Sequence, residues 1–313
     1  MSPLSLIYGA ATRIRNNLYD HGILKTRRLS QPVISVGNIS VGGSGKTPFV
    51  ILLGELLKSR GVHFDVLSRG YGRRTHGVLA VNPQGSPEEF GDEPLLIARR
   101  LGCPVIAGKD RYQAGIFAEA KFGSQLHLLD DGFQHRSLAR DFDIVMLTSR
   151  DICDRLLPEG RLREPLASLS RTDVIVMNGE TNSNELPPGK CIWRLQRGIS
   201  LENPPTQPIV FCGIARPQAF LEQLRESGIR EKAIKFYRDH HRYSERDIRD
   251  LIALRDKNKA NGFITTEKDA INLGSNLAQL GNVAIARVTM ELDQPDAALD
   301  TLLRVITERR ASA

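Results

Sequence analysis

Cysteine is scarce in this chain, with four in 313 residues, at 103, 153, 191 and 212. None forms a C-x-x-C pair or a metal-like spacing, which argues against a disulfide scaffold and a zinc module and fits a reducing compartment with the cysteines as small core residues. No run of about 20 apolar residues is present, so no segment reads as a membrane-spanning helix. No stretch reads as a cleavable signal, so the expected setting is cytoplasmic. Internal repeats and low-complexity tracts are missing as well. Negative charge is in deficit, with 36 acids against 43 lysines and arginines and a net charge of +7. That balance favours anionic partners such as nucleotides, nucleic acid or acidic lipid. The basic residues are dispersed, with no interleaved aromatics and no nucleic-acid module, so nucleic acid is not an expected partner. At 25% charged and 41% hydrophobic the chain is globular, with enough length for two domains.

What is present begins with Gly37-Asn38-Ile39-Ser40-Val41-Gly42-Gly43-Ser44-Gly45-Lys46-Thr47, directly after the apolar run Pro32–Val36. A β-branched strand entering a Gly-rich turn that ends Gly-Lys-Thr is the layout of a phosphate-binding P-loop. The glycines at 42, 43 and 45 let backbone N–H groups converge on phosphate oxygens, and the following helix presents its positive end to them. Lys46 is placed to reach the β- and γ-phosphates, and the Thr47 hydroxyl to bind Mg²⁺. The strict pattern departs at one position, where Ser40 stands for glycine.

Short apolar runs alternate with helical patterns along the rest of the chain. Strands are expected at Pro32–Val36, Phe64–Leu67, Val78–Val81, Pro104–Ala107, Leu126–Leu129, Ile144–Leu147 and Val174–Met177. Helices are expected at Pro48–Lys58, Pro94–Leu101 and Tyr112–Lys121. This predicts an α/β fold, a P-loop NTPase-like parallel sheet over 29–204. A polar, Pro-rich boundary at Glu180–Lys190 or near Asn203-Pro204-Pro205 then leads to a smaller α/β domain over 205–313. Residues 1–28 stand apart. Leu4, Ile7, Tyr8, Ala11, Ile14 and Leu18 fall at helical spacing, and Arg13, Arg15, Lys25, Arg27 and Arg28 face one acid, Asp20. A basic amphipathic helix of this kind either packs on its own domain or lies in an anionic membrane surface.

Other constellations fit an NTPase. Leu126–Asp131 is an apolar strand ending in acids, which would let Asp130 hold Mg²⁺. Asp92, in Gly91-Asp92-Glu93-Pro94, reads on its own as a helix cap. Ser68-Arg69-Gly70-Tyr71-Gly72 and Gly160-Arg161-Leu162-Arg163-Glu164-Pro165 suit phosphate contact. Asp239-His240-His241 is open between a metal or proton-transfer site and an inert loop, and Thr265-Thr266-Glu267-Lys268-Asp269 reads as capping chemistry.

In order and together, these motifs and Asp130-Asp131-Gly132-Phe133-Gln134-His135 resemble the tetraacyldisaccharide 4'-kinases, the lipid A 4'-kinases. The resemblance runs from about Leu4 to Asp269. It implies ATP-dependent phosphorylation of the 4'-hydroxyl of a tetraacylated disaccharide 1-phosphate at the cytoplasmic face of a Gram-negative inner membrane, by a monomer. With it comes a site hypothesis. Ser40 to Thr47, Gln134 and Arg163 would contact ATP, and Thr47, Asp130, Asp131 and Glu164 would hold Mg²⁺. Asn38, Arg69 and Arg111 would steady the acceptor, and Lys46, Asp92, His240 and His241 would carry catalysis, with Asp92 the general base. The competing reading is a P-loop GTPase or ATPase switch acting through partners, whose base-reading Asn-Lys-x-Asp motif this chain lacks.

Overall fold

The computed structural model describes residues 2–178 and 186–312. The first part of the expected boundary Glu180–Lys190 lies outside the described residues. Helix α1 (Pro3–Asp20) precedes β1 (Val33–Asn38), α2 (Lys46–Ser59), β2 (Phe64–Ser68) and the two-residue β3 (Leu79–Ala80). Next come α3 (Pro87–Phe90), α4 (Asp92–Leu101), β4 (Val105–Ala107), α5 (Arg111–Phe122), β5 (Leu126–Asp130), β6 (Phe142–Leu147), α6 (Ser149–Ile152) and β7 (Val174–Asn178). The chain continues through β8 (Cys191–Ser200), β9 (Pro208–Cys212), α7 (Pro217–Glu226), β10 (Ala233–Phe236) and α8 (Glu245–Lys257). It ends with β11 (Gly262–Thr266), α9 (Glu267–Leu273), β12 (Val283–Leu292) and α10 (Pro295–Ala311).

The strands join one sheet in the order β10-β9-β11-β12-β8-β7-β6-β1-β5-β2-β4-β3. Pairings are parallel except β3 with β4 and β8 with β12. The central strands β1, β5, β6 and β7 are buried and mostly apolar because helices cover both faces, with Ser35, His127 and Asp143 among the buried polar exceptions. On one face α2, α4 and α10 share a core in which Phe49, Leu53, Ile97, Leu302 and Ile306 meet. The last helix therefore packs on the P-loop half of the molecule. A separate core, with Phe211, Ile248, Leu251 and Phe263, lies under α8.

Topology positions the site. β1 lies between β6 and β5, and the chain leaves it for β2, on the far side of β5. Strand order switches direction there, and in such sheets ligands bind beyond the carboxyl ends of the strands. The register pairs Val36 with Asp130, bringing the acid at the end of β5 beside the loop that leaves β1. Gly37 is required by close approach: a Cβ there would stand 2.5 Å from Phe133 Cβ, the residue that turns the chain after Asp131.

Two expectations are corrected. Of the cysteines only Cys212 is buried; Cys153 and Cys191 are exposed. In α1 the buried side is small and polar, formed by Ser5, Gly9 and Thr12, while Leu4, Ile7 and Ile14 are 64%, 66% and 61% exposed. The helix is fastened by Ser5 Oγ donating to Leu156 O at 3.2 Å, Tyr8 Oη to Arg163 O at 3.1 Å and Asn16 Nδ2 to Glu164 Oε2 at 2.8 Å. Only the Tyr8 and Leu18 side of its apolar stripe is half-buried against the protein, and Leu4, Ile7 and Ile14 are left to solvent.

Candidate active site

A cleft of about 850 Å³ lies at the carboxyl edge of the sheet, lined from the P-loop side by residues 42–48, Arg69, Asp130, Asp131 and Arg163. From the other half come Arg197, Arg216, Asp239, His240 and Lys268. Gly45 begins α2 in a left-handed conformation, φ 87°, with no side-chain cap, so the first amides of the helix open toward the cleft. Lys46 Nζ bridges Asn38 Oδ1 at 3.1 Å and Asp131 Oδ1 at 3.3 Å. Asn38 is buried and also donates to Ser44 Oγ at 3.0 Å, so it braces the loop from behind. Ser40 is buried beneath the loop, and Val41 is held by its N–H to Arg161 O at 2.8 Å.

The acids at the end of β5 divide the work. Burial pushes the Asp130 carboxyl up to about 7, with Glu93 and Asp131 adding to the rise. Its Oδ2 accepts from Ser68 Oγ at 3.3 Å, while Oδ1 is buried without a partner. Burial also acts on Asp131, but Lys46 and Arg163 outweigh it and hold that carboxyl below its ordinary value. An orphaned buried carboxylate oxygen beside a P-loop is what a hard divalent cation satisfies, and Thr47 lines the same cleft. Among the described residues no three acidic, imidazole or thiol side chains form a ready cage. Asp130, Asp131 and Thr47 therefore offer the oxygen donors that would fit a Mg²⁺ ion.

Several expected site residues face elsewhere. Glu164 is buried off the cleft, where Arg171 donates to it at 2.8 Å, so it is engaged as an internal ion pair rather than beside Asp131. Gln134 donates to Asn38 O at 2.8 Å and accepts from Arg163 Nη1 at 3.4 Å, bracing the nucleotide loop from behind. Arg111 is buried, donating to Gly108 O at 3.0 Å; burial brings its guanidinium down to about 10.

The second constellation centres on Asp92, the buried first residue of α4. His240 Nδ1–H donates to its Oδ2 at 2.8 Å, and Asn272 Nδ2 donates to the same oxygen at 3.1 Å. Lys268 Nζ stands 3.9 Å from Asp92 and 3.2 Å from His240 Nε2. His240 adopts φ 57°, a left-handed conformation that a non-glycine residue takes only when its surroundings fix it. The adjacent His241 turns away, its Nε2 3.2 Å from Asp247 and its ring stacked on Tyr237 at 4.5 Å. The structure thus brings one histidine of the pair to Asp92. Lys268 and Asn272 were missed by sequence reasoning; their signal is an i, i+4 spacing on the helix after Thr266, one face of α9 turned to α4.

Burial works to raise Asp92, yet the His240 hydrogen bond, the Lys268 charge and Asn272 together hold it below the ordinary carboxylate value. Burial, and then the Lys268 charge, work to lower His240, but the hydrogen bond to Asp92 together with the charges of Asp92 and Asp239 outweighs them, leaving the imidazole above its ordinary value. A raised imidazole stabilises the fold below its unfolded value, about 6.5, and that contribution fades as pH rises through the folded value. The depressed carboxylate contributes above its unfolded value and is lost as pH falls through the folded one. The contact between α4 and the 239–241 loop is therefore strongest in mildly acidic solution. NMR titration should find the His240 ring titrating above the ordinary histidine value and falling on Asp92→Asn; an unchanged midpoint would show that the pair is not coupled.

Comparison with known proteins shows the family. The family model described as tetraacyldisaccharide-1-P 4'-kinase matches residues 1–307. A tetraacyldisaccharide 4'-kinase of Koribacter versatilis is 46% identical, over 99% of this chain and 100% of its own length. One from Aquifex aeolicus is 40% identical, over 87% of this chain and 88% of its own. A crystal structure of LpxK from Aquifex aeolicus in complex with ATP superposes with a TM-score of 0.80 at 35% identity, covering 97% of this chain and 98% of that one. With the motifs in order and the fold shared end to end, the chain belongs to the tetraacyldisaccharide-1-P 4'-kinase family.

Proposed function

We propose that this enzyme transfers the γ-phosphoryl group of ATP to the 4'-hydroxyl of tetraacyldisaccharide 1-phosphate, with Asp92 and His240 as the proton-accepting pair. The observation that carries the residue assignment is His240, which lines the cleft together with the P-loop lysine and grips the buried Asp92 behind it at 2.8 Å. As the hydroxyl oxygen bonds to phosphorus, its proton passes to the Asp92–His240 pair and the bond from γ-phosphorus to the bridging oxygen breaks, releasing ADP. Lys46 reaches the β- and γ-phosphates, and Arg163 neutralises charge beside them. Mg²⁺, held by Thr47, Asp130 and Asp131, would supply charge neutralisation at the transferring phosphates. Arg69 lies on the cleft wall where an anionic acceptor enters. Asp92 on α4 and His240 on the 239–241 loop are already joined in this structure, so the proton-accepting pair stands assembled before the substrates arrive. ATP consumption should depend on detergent-dispersed tetraacyldisaccharide 1-phosphate, which gains one phosphate. Equal turnover without the lipid would favour a nucleotide switch.

The acceptor's acyl chains require the enzyme to work at a bilayer, here the cytoplasmic face of the inner membrane. Among the described residues no helix is long and apolar enough to cross a membrane. The exposed Leu4, Ile7 and Ile14, with Arg13 and Lys25 exposed nearby, support docking of α1 in an anionic surface. Burying an aliphatic side chain is worth about 1.5–3 kcal/mol. Replacing all three with serine should weaken binding to anionic vesicles by about 100-fold or more. The triple variant should keep its melting temperature, because none of these side chains is buried in the fold. Unchanged vesicle binding would rule out this face.

A further inference from the structure

Two arginines of the cleft have no role in the mechanism so far. Arg197 lies on β8, paired across the ribbon with Met290 of β12, and both line the cleft. A Cβ placed on Gly45, the residue that opens α2, would stand 2.9 Å from Met290 Cε and 3.9 Å from Arg197 Nη1. The guanidinium thus reaches the start of the P-loop helix from the opposite half of the molecule. Arg216 immediately precedes α7, and its neighbour Ala215 would touch a Cβ on Gly43 at 3.5 Å. Arg216 Nη2 is buried with no hydrogen-bond partner.

The electrostatics of this corner are unbalanced. The surrounding protein lowers the Arg197 guanidinium, and the charge on Arg216 lowers it further. Arg216 is lowered by burial first and then by Arg161, with Asp151 only partly opposing. Two like charges held near each other, one with a buried donor left unmade, are costly unless an anion arrives to take them. Guanidinium groups suit phosphate oxygens because their donors form a planar fork.

We propose that Arg197 and Arg216 bind the terminal phosphates of the nucleotide from the side opposite Lys46, so that the bound nucleotide ties the β8–β12 ribbon and the start of α7 to the P-loop they already face. This rests on the ATP-dependent reading given above. The phosphate of the acceptor is the other source of the same chemistry, but the contacts at Gly43 and Gly45 place these arginines against the nucleotide loop. They touch the nucleotide directly, adding charge where the γ-phosphoryl group is held.

The test uses the full-length protein, Arg197→Gln, Arg216→Gln and Arg197→Lys, with a non-hydrolysable ATP analogue, AMP and adenosine as probes. Each Gln variant should weaken binding of the triphosphate analogue about tenfold or more while AMP and adenosine affinities stay within about twofold. Arg197→Lys should recover part of the loss, because charge is kept and the fork is not. If adenosine binding falls as much as the triphosphate, or the melting temperature collapses in both Gln variants, the role is structural and the proposal fails. If triphosphate affinity holds and only the KM for the disaccharide rises, the arginines read the acceptor and the proposal fails. A wild-type protein that bound no ATP analogue at all would instead overturn the ATP-dependent reading.

Discussion

Asp92→Asn should lower kcat by about 10²-fold or more while leaving ATP affinity nearly intact. A sugar hydroxyl is a weak nucleophile and must lose its proton as the bond to phosphorus forms. The amide keeps the shape and the first-turn position of Asp92 but cannot take that proton. Its neighbours hold the Asp92 carboxyl below its ordinary value, which makes it a weak base by itself. The raised His240 imidazole offsets this by sharing the proton, so the pair is the functional base. His240→Ala should therefore cost less than Asp92→Asn, and the double variant little more than Asp92→Asn alone, because the two act as a unit. The substitution also sets a donor against Asn272 and Lys268, which faces Asp92 at 3.1 and 3.9 Å respectively, so some loss of thermal stability accompanies it. The discriminating measurement is nucleotide affinity. A collapse of ATP binding in Asp92→Asn would move Asp92 into the nucleotide site and remove it as the base.

The P-loop half was legible because its strands are buried on both faces and read as mostly apolar runs between helical patterns. Val174–Asn178 and Leu126–Asp130 lie within a residue of their expected ends. The strand Cys191–Ser200 was not legible. It has one buried face, and its alternation through Trp193 and Leu195 fades at Arg197 and Gly198. That strand carries Arg197, so missing it hid half of the cleft's far wall. The Asp92 motif opens a helix as expected, but Asp92 does not cap it: Gly91 is the N-cap, with no side-chain cap bond, and Asp92 is the first helical residue. What joins it to His240 is a separation of 148 positions, a contact that periodicity does not carry. The α1 stripe was visible, but its direction was not. Ser5, Gly9 and Thr12, which lie off that stripe, form the docking face, because a glycine lets Leu156 approach where a Cβ would stand 2.9 Å from it.

Lys46→Ala should lower kcat by about 10³-fold or more and weaken triphosphate binding as well, unlike Asp92→Asn. Phosphoryl transfer leaves the protein little covalent work, so the rate depends on positioning and on charge set against the transferring group. Without nucleotide, Lys46 is already held in place by Asn38 and Asp131, at 3.1 and 3.3 Å. Such a side chain has little rotamer freedom left to lose when phosphate arrives, which favours the transition state over a floppy lysine. Removing it leaves Asp131 facing Arg163 alone and strips away the first of the charges that keep that carboxylate ionised. Two effects then add: the phosphates lose a cation, and the acids that fit Mg²⁺ lose part of their own compensation. Arginine at 46 should not restore activity, since a planar fork cannot occupy the space of a single ammonium between Asn38 and Asp131. Single-turnover kinetics at saturating ATP separates the two effects. A Lys46→Ala enzyme with near-normal kcat would mean that the loop from Gly37 to Thr47 does not hold the phosphates during transfer.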